Sequence, residues 1–431
     1  MQRGIIQTIS EHKLIVCTFL VTILLICLSL YSSIFGVAAF LLNILVLCKV
    51  TPSEYTILLY SILPWAYVYK INGVGTSLFA ILVMATVLRN LLNTKRIDGG
   101  FVASFALFII NVVLQARLDN KAMLMMFIKL AFNLILLYQM SLFYQKKQLK
   151  PILLIFVFSV LLSSAVAQYL PNKALLFSRI KAESAVVEFQ YARFKGLQND
   201  PNYYNASLVI SLLGLCYLYI KREIGNIFFP LASLCVYFGF LTYSKSFFLL
   251  LLMWFGVLVL FSFRNKRYYL GLVLLFISAI SLVLIFSGRV EVINVLLNRF
   301  NEPGGVTTGR LDNWGVYINY FFTDISVLLF GNGFESLVYD AYDSHASHNT
   351  YIDLVFYFGI VGSMFLCRVI YCCFRQNPII NRQLFAYIFS LFLFLIYFFL
   401  SGITLCEFPF YIFLIFMFFY DNAPIQLSKY I

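Results

Sequence analysis

Apolar residues run almost without interruption along this chain, in stretches near 20 residues parted by short polar or basic breaks. A helix rises about 1.5 Å per residue, so a stretch of roughly 20 apolar residues crosses the hydrocarbon layer of a bilayer. The stretches lack the alternation of barrel strands. They predict an all-α polytopic membrane protein with about 14 transmembrane helices, within a range of roughly 12–14. The predicted spans are 14–31, 33–49, 54–71, 76–93, 101–117, 122–144, 151–169, 203–220, 226–242, 245–263, 268–287, 349–374, 384–401 and 404–420. Two long polar segments divide them. The chain reads as N-terminal transmembrane helices over 1–169, a loop over 170–202, four transmembrane helices over 203–287, a large loop over 288–348 and C-terminal transmembrane helices over 349–431.

Composition agrees. The chain is 62% hydrophobic and 11% charged, where a soluble protein carries about 25% charge. A water-soluble enzyme and a disordered chain are both excluded. The formal charge of +13 is explained by basic cytoplasmic loops rather than by nucleic acid. Nine Cys lie in or beside apolar runs with no CxxC pair, which argues against a disulfide or zinc framework. The first apolar run lacks a clear small-residue cleavage site and reads as retained spans.

The positive-inside rule sets the orientation. Starting inside, alternate loops carry Arg3 and Lys13, Lys49, Lys95 and Arg96, Lys146, Lys147 and Lys150, Lys221 and Arg222, Arg264, Lys266 and Arg267, Arg375 and Arg382, then Lys429. Both termini are thus expected in the cytoplasm, with the long loops on the opposite face. Those loops nevertheless hold Lys173, Arg179, Lys181, Arg193 and Lys195, and Arg289, Arg299 and Arg310. Either these are solvated loop charges or they serve an anionic ligand at the outer membrane surface.

Within the second loop, Val292, Ile293, Leu296, Leu297 and Phe300 recur at helical spacing, and a second amphipathic helix starts after Arg310 with Leu311, Trp314, Val316 and Tyr317. Between them, Pro303-Gly304-Gly305 and Gly309 form a turn that is either plain surface or an anion nest of backbone N–H groups. His345 and His348 stand at the mouth of the next span. They admit three readings: a packed helix start, a metal pair short of ligands, or acid–base work near neutral pH. In the first loop, Arg193-Phe194-Lys195-Gly196 precedes Asn199-Asp200-Pro201-Asn202. The second tetrad is a helix-start signal; the preceding cations are not required by it, and arginine suits phosphate through its planar fork.

Three ordered segments resemble the O-antigen ligase and Wzy-type O-antigen polymerase superfamily. They are Arg193-x-x-Gly196 leading to Pro201-Asn202, Gly309-Arg310-x-x-x-Trp314 continuing to Leu329-Phe330-Gly331-Asn332-Gly333, and His348-Asn349-Thr350-Tyr351-Ile352-Asp353-Leu354 followed by Gly359 and Gly362. The likeness covers roughly residues 190–375; the N-terminal spans match only as generic apolar helices. It implies a GT-C-like membrane glycosyltransferase of the bacterial inner membrane, working on its periplasmic face without a cofactor or required metal. Its partners would be undecaprenyl-pyrophosphate-linked oligosaccharides as donor and acceptor, membrane lipids and a chain-length regulator, with no nucleic acid. By the same resemblance Arg193 and Arg310 hold the pyrophosphate and His348 is the catalytic base. His345 matches a less uniform polar position, and Lys195 and Arg299 are added as supporting cations from charge and proximity.

The chemistry of such a site is coherent. A base removes the acceptor hydroxyl's proton as the new bond forms, and guanidinium groups stabilise charge on the departing pyrophosphate. A single displacement with no enzyme nucleophile inverts the anomeric carbon. Polymerase and ligase share these motifs, the ligase delivering glycan to lipid A-core. The aromatic-rich chain, with 47 Phe and 29 Tyr, and the long loops favour the polymerase. A lipid-linked-oligosaccharide flippase is the competing class; it would place ionisable or helix-breaking residues at mid-membrane, for which Lys129, Pro64, Gly214 and Pro230 are the candidates.

Overall fold

The computed structural model describes residues 11–70, 77–94, 97–115, 121–169, 194–198, 200–264, 310–333, 347–375, 384–400 and 407–421. The predicted span 268–287 and the amphipathic segment over 292–300 lie outside these residues. Among the described residues the regular structure is helical, apart from one isolated bridge between Lys70 and Ser77.

Among the described residues, five helices are long and apolar enough to cross a membrane: Leu124–Phe143, Leu149–Tyr169, Pro201–Ile220, Lys245–Phe263 and Thr350–Arg375. Shorter apolar helices accompany them at Lys13–Leu28 (α1), Ser33–Lys49 (α2), Leu78–Asn93 (α4), Gly99–Gln115 (α5), Phe228–Phe240 (α9), Leu384–Phe398 (α14) and Phe408–Tyr420 (α15). The long ones belong to α6 (Lys121–Phe143), α7 (Leu149–Tyr169), α8 (Pro201–Ile220), α10 (Lys245–Arg264) and α13 (Thr350–Arg375). Large apolar side chains face outward along several of them, as with Leu24 at 59% and Leu114 at 76% exposure. Such surface is stable only in a hydrocarbon solvent. The protein is membrane-embedded.

Packing inside the bundle relies on aromatic edges and on hydrogen bonds between helices, since lipid supplies no hydrophobic drive between them. Tyr60 meets the Phe156 and Phe410 rings edge-on at 6.2 and 5.1 Å. Asn43 donates to Thr22 Oγ1 at 3.0 Å, joining α1 to α2, and the Trp254 indole donates to the Leu212 carbonyl at 3.0 Å, joining α10 to α8.

Two predicted spans are not single straight helices. Over 54–71 the α-helix is only Pro52–Ile62 (α3), followed by a 3₁₀ turn at Leu63–Trp65. Pro64 has no N–H for the next helical bond, and its ring would strike the carbonyl four residues back. The second case is α13, which breaks at Gly359 (φ 64°, ψ −178°). Gly214 and Pro230, the other expected breakers, sit inside α8 and in the first turn of α9. There Gly214 gives room to Leu153, whose side chain a Cβ would meet at 3.0 Å.

The break in α13 is clasped by the chain that precedes it. The Asn332 and Gly333 N–H groups donate to the Phe356 and Tyr357 carbonyls at 2.7 and 3.0 Å. The Asn111 amide donates to the Phe358 carbonyl at 3.1 Å and the Phe330 carbonyl at 3.3 Å. Carbonyls released by the break are thereby satisfied within the protein, as the membrane interior demands. This clasp fixes Ile325–Phe330 (α12) and the preceding Arg310–Thr323 (α11) against α13.

Helices α8, α13 and α15 run in the same direction. At one end, Lys221 pairs with Asp421 at 3.6 Å and Lys150 with Glu223 at 3.5 Å. At the other end lie Asp200, His348 and Glu407, the residues that open or precede these three helices.

Candidate functional site

Asp200 accepts a hydrogen bond from the Asn202 N–H at 2.6 Å and caps α8, with Pro201 at the first helical position. The Asn202 side chain in turn accepts from Ser244 Oγ at 2.9 Å, at the start of α10. The segment before the cap is pinned from two sides. The Phe194 N–H donates to the Leu241 carbonyl at 3.1 Å, and Gly196 (φ 56°) lies so close to the Tyr204 ring that a Cβ would meet it at 2.7 Å. Glycine there is a steric requirement. Lys195 sits half-buried between them.

The α11 helix presents Arg310, Trp314, Tyr317 and Phe321 on one stripe, at the three- and four-residue spacing of a helix face. Tyr317 and Phe321 are buried in a small cluster with Val327 and Phe356 of α13. Leu311, Ile318 and Phe322 face the other way and are exposed. The predicted amphipathic helix is present, and its apolar outer stripe gives it the build of an interfacial helix.

Farther along the inward stripe, the Trp314 indole donates to the Ser347 carbonyl at 2.8 Å. Ser347 is the residue before His348. Its hydroxyl donates to Asp353 Oδ1 at 2.5 Å and accepts the Asn349 N–H at 3.0 Å. The Asn349 side chain accepts from the Tyr351 and Ile352 N–H groups at 2.9 and 3.3 Å, capping α13. His348 is held between these anchors in the left-handed region (φ 49°), half-buried. A non-glycine residue persists there only where its surroundings over-determine it. Ser347, Asn349 and Asp353, each buried, supply that constraint.

One turn after α14 completes the arrangement. Phe398 meets the Trp314 ring edge-on at 5.1 Å, the Arg310 guanidinium lies 5.7 Å from the Phe399 ring centre, and the Leu400 carbonyl accepts the Thr350 hydroxyl. Three consecutive residues thus touch the arginine, the tryptophan and the start of the histidine helix. Burial pushes the Arg310 guanidinium below its ordinary value, and the Asp200 carboxylate acts in the opposite sense. A desolvated guanidinium of this kind binds an anion more strongly than one in water.

Of the residues named from the sequence, Arg310, His348 and Lys195 are described; Arg193, Arg299 and His345 lie outside the described residues. The structure joins the Arg310 helix to the His348 segment through Trp314, and sets the cap of α8 within electrostatic reach of Arg310. Residues 398–400, Ser347, Asp353 and Glu407 received no role from the sequence. Phe398-Phe399-Leu400 ends an apolar run and has no polar signal to draw notice; the only sequence hints were Asp353 and Glu407, carboxylates in otherwise apolar text. Comparison of the chain with family models, curated proteins and solved structures finds no match.

Proposed function

We propose that the protein is a glycan polymerase of the bacterial inner membrane, one of about fourteen spans with both termini cytoplasmic. It transfers oligosaccharide from undecaprenyl pyrophosphate to a sugar hydroxyl of another lipid-linked repeat unit at the periplasmic face. The observation that carries this reading is the attachment of the Arg310 helix to the His348 turn through Trp314 and Ser347. It puts a partly desolvated guanidinium and an imidazole on adjoining segments, which supports the roles proposed for them.

In the proposed reaction His348 takes the proton of the acceptor hydroxyl, whose oxygen attacks the anomeric carbon. The bond from that carbon to the pyrophosphate oxygen breaks, the configuration inverts, and the electron pair leaves with the diphosphate. Arg310, with Arg193 as its proposed companion, stabilises the charge that builds there. Fixed donors in a site of low polarity act more strongly on the transition state than on the ground state.

Glycan profiling of a deletion strain complemented by variants tests the reading. Core bearing a single repeat unit in the deletion and in His348→Ala is the expected outcome. Unmodified core with accumulated lipid-linked polymer would assign the protein as the ligase instead. Unchanged glycan in both strains would end the glycosyltransferase reading.

One observation speaks for a flippase, the broken helix α13, since transporters use unwound backbone to hold substrate or ions. Here the Phe356, Tyr357 and Phe358 carbonyls are taken up by Asn332, Gly333 and Asn111, so this backbone is committed to the fold. The polymerase reading therefore stands first.

A further inference from the structure

Helix α5 is predominantly apolar, and its outer side exposes Val102, Leu107, Ile110 and Leu114. Its other side carries Ser104, Phe108 and Asn111, spaced four and three residues apart on one face and each buried. All three meet α13. Ser104 Oγ accepts from Arg368 Nε at 3.1 Å, and the Phe108 ring meets the Phe358 ring edge-on at 5.1 Å. The third residue reaches the break at Gly359. A side-chain amide nitrogen has two N–H donors, and Asn111 Nδ2 serves two carbonyls, that of Phe358 at 3.1 Å and that of Phe330 at 3.3 Å. Gly362 makes the room: a Cβ there would lie 2.4 Å from the same nitrogen.

The two carbonyls close different segments. Phe330 ends α12, which follows directly on the α11 helix that begins at Arg310. Phe358 ends the half of α13 that opens just after His348. The near ends of these segments are joined by the Trp314 bond to Ser347; Asn111 joins their far ends. About 13 Å of helix, at 1.5 Å per residue, lies between the two ties along α13. A segment tied at one end can pivot about the tie, whereas one tied at both ends keeps its angle. The Asn332 and Gly333 N–H bonds to the Phe356 and Tyr357 carbonyls do not involve Asn111, so main chain still closes the break when the amide is removed.

We propose that Asn111 is a positioning residue for glycan transfer. By holding the Phe330 and Phe358 carbonyls on one amide, it fixes the angle of the Arg310 helix against the His348 segment. It thereby sets where the guanidinium stands relative to the imidazole. The inference rests on the glycan-transfer reading and extends it to α5, a helix of the N-terminal half that touches neither residue's segment at the site itself. Small errors of placement are costly in such a reaction, because the reacting groups must meet within a few tenths of an ångström of the productive geometry.

The test uses the full chain in nanodiscs with the native lipid-linked repeat unit, and compares wild type with Asn111→Leu, which keeps the volume and removes both donors. Two readouts are taken: polymerisation kinetics, and the distance distribution between bioorthogonal spin labels at Phe322 on α11 and Tyr371 on the far half of α13, both exposed. In monodisperse protein kcat should fall about 10–10²-fold, KM should stay within about twofold, and the distance distribution should broaden. An unchanged kcat would overturn the proposal, as would a kcat loss with the wild-type distance distribution. If Asn111→Leu aggregates, Asn111→Asp, which keeps the shape and loses the pair of donors, is judged by the same two readouts. Aggregation of both variants would leave Asn111 a purely structural residue and would also overturn it. The distance readout needs no activity, so a failure of the reading beneath is told apart: that reading falls if wild type forms no polymer or His348→Ala is as active as wild type.

Discussion

Trp314 donates its indole N–H to the carbonyl of Ser347 at 2.8 Å, and this one bond ties the helix that begins at Arg310 to the turn that carries His348. Replacing Trp314 by Phe keeps the ring against Phe398 and removes the donor. The carbonyl left behind costs about 1–3 kcal/mol, enough to loosen the turn without unfolding the bundle. Polymer synthesis should fall about tenfold or more while membrane yield stays at the wild-type level; quantified glycan ladders against immunoblotted protein measure both.

Arg310→Lys keeps the positive charge and discards the planar fork. On a diphosphate the two are not equivalent, and a rate loss of about 10²–10³ is expected by analogy with removal of an oxyanion donor. Full activity in the lysine variant would mean that the side chain contributes charge alone. Burial lowers the Arg310 value and the Asp200 carboxylate acts against that shift.

Asp324 caps α12 and accepts from the Ser326 hydroxyl at 2.5 Å and from the Ser326 N–H at 3.0 Å. The Ser326 hydroxyl, together with the backbone N–H groups, holds its carboxyl below the usual range. A depressed carboxylate lends stability above its unfolded value, and that contribution is lost as pH falls through the folded one. The protection factors of the amides over 325–330, taken against their intrinsic exchange rates, should fall on acidification below about pH 4 in the wild type. Asp324→Asn should show protection factors that no longer depend on that titration.

Gly331 and Gly359 pack backbone on backbone: a Cβ on Gly359 would lie 2.4 Å from the Leu329 carbonyl, and one on Gly331 2.5 Å from the Tyr357 oxygen. Both also have positive φ, at 90° and 64°. Alanine at either position meets rigid main chain and left-handed strain of about 1–2 kcal/mol or more. Folded yield by fluorescence-detected size exclusion should drop sharply for Gly359→Ala. Gly256→Ala, with open space around it, should match the wild type.

The membrane class, the helical build and the start points of α8, α11 and α13 follow from local properties. Apolar run length decides whether a helix can span lipid. Asp200-Pro201 and Asn349 mark helix starts because their side chains, or their missing N–H, satisfy the first turn within a few residues. Alternating basic loops yield an orientation by the same local logic. None of these steps needs contacts distant along the chain.

Tertiary structure decided what those signals could not reach. Gly359 is one glycine among 22 until the Gly331 turn is brought against it, and only then does its positive φ become necessary. Phe398-Phe399-Leu400 is ordinary apolar text until folding sets it beside Arg310, Trp314 and Thr350, residues from 50 to about 90 positions away. Asn111 gains its role only when folding brings the Phe330 and Phe358 carbonyls to its amide. The physical reason is common to all three: periodicity and capping are energies of neighbours in sequence, whereas desolvation, backbone-to-backbone packing and bridging hydrogen bonds are energies of neighbours in space.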